Sequence, residues 1–190
     1  MLVISQTTLN KTPTITTNRL LLRPITRADR YAVFYGLSHP MVIRYYGVRY
    51  FSLAETEAQM QWYQQIEAED TGRCWAICEQ EKPEVLIGVA VLNDWNHQQQ
   101  CAEAGWWLLP AYQGRGYACE ALQAIFPYAF NYLNLRQIIA MVETKNAASI
   151  ALCQKLGFGL LHTRQQAEFK DGHSISLHTF GLLNTNAASL

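Results

Sequence analysis

The chain has 190 residues, of which 49% are hydrophobic and 16% are charged. This length and composition suit one domain with a full core, because two domains would each be small. Lys and Arg together number 15, as do Asp and Glu. The net charge is therefore zero, which excludes a general electrostatic attraction of the whole protein to nucleic acid or to an acidic membrane.

Three features of the sequence bear on the compartment. The first residues, MLVISQTTLNK, lack a basic start and a long apolar run, so they do not resemble a secretory signal. No later stretch approaches the roughly 20 apolar residues that span a bilayer. The five cysteines form no CxxC pair, and Cys74 and Cys78 lack further ligands at metal spacing. We therefore expect a cytoplasmic protein with reduced thiols, without a metal site and without a membrane partner.

The first half of the chain predicts strands and helices in a clear order. We expect residues 1–15 to be disordered and residues 19–24 to form a strand, after which Thr26 is a helix cap. Ser52 and Glu55 form the pattern of a capping box, which predicts a helix to about residue 69. Three apolar runs separated by turn residues then indicate an antiparallel meander. These runs are 74–78, 85–92 and 102–109.

The second half begins with the stretch QGRGYACEAL, residues 113–122. Apolar residues at helical spacing predict a helix from this stretch to about residue 133, which Pro127 should kink. Residues 137–144 read as a strand, and Asn146 caps a further helix. A final hairpin turns at Asp171-Gly172, and residues 184–190 are expected to be a frayed tail.

The glycine-rich stretch between a strand and a helix has a physical use. A strand that ends near Leu109 and turns into a helix directs several backbone N–H groups and the positive helix end at one point, which suits a pyrophosphate. Gly114 and Gly116 allow the phosphates to approach the backbone closely, and Arg115 adds a charged donor. By itself this pattern is equally compatible with a glycine-rich turn that binds no ligand.

A second motif downstream favours a ligand. The segment 146–158, NAASIALCQKLGF, follows the loop after one intervening strand. With the two motifs in this order, the sequence resembles the GNAT superfamily of acetyl-coenzyme A-dependent N-acetyltransferases. Within that superfamily it is most similar to the RimJ/RimL-type ribosomal-protein N-terminal acetyltransferases, through residues 18–24, 102–108 and 167–172. The residues that match the two superfamily motifs are Gln113, Gly116 and Ala118 in the loop, and Asn146, Ser149, Lys155, Gly157 and Phe158 in the helix.

This resemblance implies the fold and the donor substrate. The fold is a single mixed α/β domain over residues 16–183, a twisted and mostly antiparallel sheet of six or seven strands with helices on both faces. The donor is acetyl-coenzyme A, bound without a metal. In the family, the strand before the loop offers backbone groups to the pantetheine arm, and the asparagine-led helix lies along that arm. The cofactor residues so implied are Trp107, Leu108, Leu109, Gln113, Gly114, Arg115, Gly116, Tyr117, Ala118, Asn146 and Ser149.

The resemblance also implies catalytic candidates. A base must take a proton from the acceptor amine, and both Glu103 and Glu168 lie where family members carry a carboxylate. Many members use a tyrosine on the second helix to protonate the leaving sulfur, but here that place falls to Cys153. Ser149 is the alternative acid, since a hydroxyl is a stronger hydrogen-bond donor than a thiol.

The identity of the acceptor stays open at this point. The resemblance favours the α-amino group of a protein or peptide, a ribosomal protein in the RimJ/RimL-type case. A small amine such as a polyamine, an amino acid or an aminoglycoside is an alternative, because RimL-type members carry an aromatic and an acid where this chain has Ser174 and Ser176. A non-catalytic module that binds acetyl-coenzyme A is a third hypothesis. We expect a monomer or a homodimer. An aromatic cluster at residues 45–63 lies where the subfamily builds its acceptor pocket.

Overall fold

A computed structural model describes residues 11–185, in which strands and helices alternate in the predicted order. The strands are β1 (Ile15–Thr16), β2 (Leu20–Pro24), β3 (Arg73–Glu79), β4 (Leu86–Asn96), β5 (Cys101–Leu108), β6 (Gln137–Glu143), β7 (Gly159–Lys170) and β8 (His173–Leu183). The helices are α1 (Arg30–Ser38), α2 (Pro40–Ile43), α3 (Leu53–Ala68), α4 (Tyr117–Asn131) and α5 (Ala147–Lys155).

Three of the helices begin at or near the capping residues that the sequence indicates. Thr26 precedes a short 3-10 turn that leads into α1. The Ser52 hydroxyl accepts a hydrogen bond from the Glu55 N–H at 3.2 Å, and the Asn146 side-chain oxygen accepts one from the Ser149 N–H at 3.1 Å. Each cap satisfies an N–H group that the helix itself leaves without an acceptor. The helix α4 runs through Pro127 to Asn131, two residues before its predicted end at about residue 133.

The sheet has eight strands in the order β1-β2-β3-β4-β5-β6-β8-β7. Every neighbouring pair is antiparallel except β5 and β6, which are parallel and joined through α4. The mixed fold with a mostly antiparallel sheet is thus confirmed, whereas the expected count of six or seven strands is too low. The additional strand is β1, whose two residues pair with Leu22 and Leu21 of β2.

Residues 13–15, which precede the predicted domain, contact the sheet. Ile15 is only 1% exposed, and the carbonyl of Pro13 accepts a hydrogen bond from the Trp75 indole at 2.9 Å. One isoleucine among threonines is too short a pattern to reveal a strand, because its burial depends on a partner far along the chain. At the other end of the described residues, the Asn184 N–H donates to the Arg136 carbonyl at 2.9 Å. The expected disorder of residues 1–10 and fraying of residues 186–190 lie outside the described residues.

Helices cover both faces of the sheet and bury two apolar clusters against it. One cluster includes α4 and α5, and the other includes α1, α2 and α3. Each large apolar side chain that becomes fully buried contributes roughly 1.5–3 kcal/mol relative to exposure. The first cluster includes Trp75, Leu122, Ile125, Phe126 and Phe158, and the second includes Val33, Leu37, Met60, Val89 and Trp107.

Candidate active site

The strands β5 and β6 part in the middle of the sheet. They pair at three positions only, the last of which joins Glu103 to Ile139, although β5 continues to Leu108 and β6 to Glu143. Beyond Glu103, therefore, β5 has no hydrogen-bonded strand on its β6 side. This gap exposes backbone groups in the interior of the sheet, where they are otherwise paired.

The alternation of β5 decides which backbone groups face the gap. The Leu109 N–H donates to the Ile87 carbonyl of the neighbouring chain segment at 2.8 Å, which directs Leu109, and by alternation Trp107, towards β4. Trp106 and Leu108 therefore point their backbone groups into the gap. Of the three predicted residues, therefore, only Leu108 directs its backbone groups into the gap, and Trp106, which the sequence analysis did not name, does so too.

The glycine-rich loop presents an unusual run of backbone donors. Within residues 11–185, no oxygen accepts a hydrogen bond from the N–H groups of residues 114 to 118. Gly114 and Gly116 have φ angles of 73° and 81°, the left-handed region that only glycine adopts readily, and no atom lies within 4 Å of where a side chain would start on Gly114. The loop is exposed and leads directly into α4. Its geometry suits an anion that is bound by backbone groups.

The other predicted loop residues have distinct positions. The Gln113 side chain donates to the Leu108 carbonyl at 2.9 Å and so connects the loop to the gap. The Arg115 guanidinium lies over the Tyr112 ring at 5.9 Å, without a carboxylate partner among the described residues. Tyr117 is buried and its hydroxyl donates to Glu79, so that only its backbone is available to a ligand. Ala118 follows it in the first turn of α4.

A cleft of about 500 Å³ lies at the gap. Glu103, Asn146 and Ser149 supply polar groups to its wall, and the aromatic cluster predicted from the sequence contributes part of its lining. The cleft thus combines aromatic rings with polar side chains that could orient a small molecule. The aromatic lining consists of Tyr45, Tyr46, Tyr50, Trp62 and Trp106.

The Glu103 carboxyl has an unusual environment. Burial, together with the nearby negative charges of Asp94 and Glu168, raises its pKa to about 7. Asp94 lies in a bulge of β4, and its φ angle is 49°. Asn93 pairs with Glu103 and Asn96 with Cys101, so β4 has one more residue than β5 between these two pairs. Sequence reasoning missed Asp94, because nothing local distinguishes it from a turn residue.

The two candidate bases differ in position. Glu103 lines the cleft, whereas Glu168 is exposed on β7 and does not line it. Between Arg164 and Glu168, β7 is irregular against β8, and Glu168 then pairs with Ile175. Glu168 therefore acts on the site through its charge, while Glu103 is the carboxyl that a molecule in the cleft would meet.

The two candidate acids also differ. Ser149 lines the cleft, and no hydrogen bond within the described part of the chain involves its hydroxyl. Cys153 lies on the buried side of α5 and is 0% exposed, and burial raises the pKa of its thiol to about 12. The remaining motif residues have structural positions: Lys155 is the last residue of α5, Gly157 has a φ angle of 84°, and Phe158 packs on Phe126.

Over residues 11–185, no group of three or more His, Cys, Asp or Glu side chains is arranged to hold a metal ion. None of the helices in that range is both long enough and apolar enough to cross a membrane.

Comparison with known proteins assigns the family. The GNAT acetyltransferase domain matches residues 19–159. An uncharacterized N-acetyltransferase of Bacillus subtilis, YoaA, is 30% identical over 90% of this chain and 97% of its own length. Spermidine N(1)-acetyltransferase of Escherichia coli K12 is 30% identical over 73% of this chain and 72% of its own. The crystal structure of RimL, the ribosomal L7/L12 α-N-protein acetyltransferase, with coenzyme A superimposes with a TM-score of 0.81 at 20% identity, over 90% and 98% of the two chains.

The superfamily resemblance is thereby confirmed, while the narrower RimJ/RimL-type placement stays a prediction because the relatives include both kinds of acetyltransferase. The match covers the gap, the loop and all of α5, which are the elements that form the site. The chain belongs to the GNAT family of acetyltransferases.

Proposed function

We propose that this chain transfers the acetyl group of acetyl-coenzyme A to a primary amine bound in the cleft, with Glu103 as the base. One observation carries the proposal: a half-buried carboxyl with a pKa of about 7 lies where β5 leaves β6, at a cleft that also holds Ser149. A base works best when its pKa is near the working pH, since it is then ionised often enough and still binds a proton well.

The donor side of the site is supported by the backbone geometry. The five N–H groups of residues 114 to 118 and the start of α4 suit the diphosphate of the donor. The backbone of Trp106 and Leu108 in the gap suits the pantetheine arm and the thioester carbonyl. Asn146 lies at the cleft beside the start of α5, close to where this arm would pass.

The reaction needs few side chains. The amine nitrogen forms a bond to the thioester carbonyl carbon, and its proton passes to the Glu103 carboxylate. A backbone N–H in the gap stabilises the oxyanion, after which the carbon–sulfur bond breaks and the thiolate leaves. The Ser149 hydroxyl donates a hydrogen bond to that sulfur. Most of the acceleration then comes from holding the two substrates in attack geometry.

We propose the α-amino group of a protein or peptide as the acceptor. Phe51 and Phe169 are 76% and 77% exposed, and they lie on two segments that an ion pair between Arg49 and Asp171 joins beside the cleft. Lys170 strengthens this connection, because it donates to the Arg44 carbonyl and to the Glu143 carboxylate. Exposed aromatic rings next to a cleft suit a chain that extends beyond its reacting amine.

A polyamine is the second candidate. Asp94 and Glu168 add two negative charges around Glu103, and the aromatic lining of the cleft favours ammonium groups. Both features suit an acceptor that carries a second positive charge beyond the reacting amine. The spermidine acetyltransferase among the relatives agrees with this candidate.

Thiol release from acetyl-coenzyme A, measured with several acceptors, distinguishes the two candidates. Peptides with a free α-amine, the same peptides with a blocked α-amine, spermidine and putrescine are the required panel. We expect turnover with the free peptides only, and roughly a fivefold lower kcat/KM for them after Phe169→Ala. Tyr132→Ala, at the far end of α4, is the matched control with unchanged kinetics. Turnover of spermidine alone would establish the polyamine candidate instead.

The role of the loop is tested by Gly116→Val. A hydrogen bond to a charged group contributes about 1.5–3 kcal/mol, so displacing the diphosphate should weaken acetyl-coenzyme A binding about tenfold or more. The substitution strains the backbone, because the φ angle of Gly116 is 81°. It causes no clash at Cβ, since the nearest atom to the added Cβ is 3.5 Å away. Calorimetry with the donor measures the effect.

Gly172→Val is the matched control for that strain. Gly172 has a φ angle of 79°, close to that of Gly116, but it lies in the turn between β7 and β8. We expect this variant to lose similar stability and to bind acetyl-coenzyme A as the wild type does. Equal donor affinity in both variants would exclude the loop as the diphosphate site.

A further inference from the structure

Arg19 contacts the glycine-rich loop from a different part of the sheet. It lies just before β2, and its Nη1 donates to the Arg115 carbonyl at 3.1 Å. Its Nε pairs with the Glu120 carboxylate of α4 at 2.7 Å, and its guanidinium carbon lies 4.5 Å from the centre of the Tyr117 ring. One side chain therefore touches the loop and the first turn of the helix at three points.

The contact with the Arg115 carbonyl fixes the direction of one peptide group. No peptide bond in residues 11–185 is cis, and in a planar trans peptide the C=O and the N–H point in opposite directions. Because Arg19 holds the Arg115 carbonyl on its own side, the N–H of Gly116 points away from Arg19. This N–H is one of the five in the loop for which the described residues offer no acceptor.

Glu120 fixes Arg19 in turn. One oxygen of its carboxylate accepts from the Thr17 hydroxyl at 2.6 Å and from the Arg19 N–H at 2.8 Å, while the other accepts from the Arg19 Nε. The backbone and the side chain of Arg19 are thus bound to the same carboxylate. This arrangement leaves the guanidinium little freedom to turn away from the loop.

We propose that Arg19 is a positioning residue for the donor diphosphate, which holds the peptide between Arg115 and Gly116 with its N–H directed at the anion. The inference rests on the proposed role of the loop in binding acetyl-coenzyme A. Arg19 acts through the backbone, in the manner of a group that pre-orders a binding site before the ligand arrives. Glu120 supports this role by orienting Arg19.

The test compares two donors, acetyl-coenzyme A and S-acetylpantetheine, which has the same thioester and arm but no diphosphate. For Arg19→Met we expect KM for acetyl-coenzyme A to rise on the order of tenfold with kcat unchanged, and kcat/KM for S-acetylpantetheine to stay as in the wild type. Glu120→Gln should raise KM for acetyl-coenzyme A in the same direction. Arg27→Met is the matched control, since Arg27 is exposed and its one ion pair within residues 11–185 is with Glu57, at 3.6 Å.

Arg19→Lys covers the case in which Arg19→Met does not fold, because lysine keeps the charge but cannot reach Glu120 and the Arg115 carbonyl together. It should raise KM for acetyl-coenzyme A alone. If kcat/KM fell equally with both donors, Arg19 would have a structural role only, and the positioning role would be wrong. If KM for acetyl-coenzyme A rose in Arg19→Met but stayed unchanged in Glu120→Gln, Arg19 would contact a phosphate directly. That result would overturn the positioning role.

The two proposals fail in different ways. If the wild type itself uses both donors equally well, the loop does not bind the diphosphate, and the inference on Arg19 is overturned with it. If the wild type prefers acetyl-coenzyme A and Arg19→Met keeps that preference, only the inference on Arg19 is overturned.

Discussion

Glu103→Gln should lower kcat by about 10²–10⁴-fold while acetyl-coenzyme A binds with unchanged affinity. Glutamine keeps the shape of the side chain but cannot accept the proton of the amine. Glu103 lines the cleft, to which the glycine-rich loop contributes no residue, so the substitution leaves the diphosphate site intact. Steady-state kinetics and donor calorimetry on the same preparation measure the two effects.

The pH dependence gives an independent check. A base with a pKa of about 7 is protonated below that value, so wild-type kcat should rise with pH through about 7. This rise should be missing from the residual activity of Glu103→Gln. In Glu168→Gln, the matched control, the rise should persist and move to lower pH, because one of the charges that raise the Glu103 pKa is gone. If kcat fell in Glu168→Gln and stayed at the wild-type value in Glu103→Gln, Glu168 rather than Glu103 would be the base.

The free energy of unfolding of Glu103→Gln distinguishes a loss of catalysis from a loss of folded structure. The pKa of Glu103 is higher in the folded protein than its ordinary value of 4.5. Its contribution to the free energy of unfolding is therefore fully present below about 4.5 and is lost as the pH rises through about 7. At pH 8 the charged, half-buried carboxylate destabilises the fold, so Glu103→Gln should be more stable than the wild type there. An inactive variant that is also less stable at pH 8 would point to structural damage.

Ser149→Ala should lower kcat on the order of 10²-fold with little change in acetyl-coenzyme A affinity, since one oriented donor to a developing negative charge contributes about that much. The hydroxyl lines the cleft without an intramolecular partner among residues 11–185, so its removal disturbs no other contact. Rates with a saturating donor measure the change.

Cys153→Ala is the control on the same helix. Its thiol is buried in the core, so this variant should lower the free energy of unfolding and leave kcat of the folded enzyme unchanged. A silent Ser149→Ala beside a slow but stable Cys153→Ala would make the thiol the acid.

Local patterns in the sequence predicted most of the elements, because the signals that set helix ends lie within a few residues of each other. The Ser52 and Asn146 caps formed as expected. Features that depend on pairing with another strand could not be predicted from the sequence. The strand β1 exists only through its pairing with β2, and the bulge at Asp94 only through its pairing with β5.

The candidate site shows the same division. The loop was recognisable from its glycines, but the segment GWWLL, residues 105–109, is apolar at nearly every position. Alternation therefore could not tell whether Trp106 or Trp107 turns its backbone to the gap. Glu103 and Glu168 were equal candidates in the sequence, since both are glutamates in strands and only the fold buries one of them.

The three residue pairs between β5 and β6 also define how the sheet can bend. Five strands lie on one side of this line and three on the other, and few backbone hydrogen bonds cross it. A hinge along this line would change the width of the cleft while leaving the pairing within each half intact. The strand separation that exposes backbone groups thus also leaves the sheet with less mechanical resistance to bending at this line than within either half.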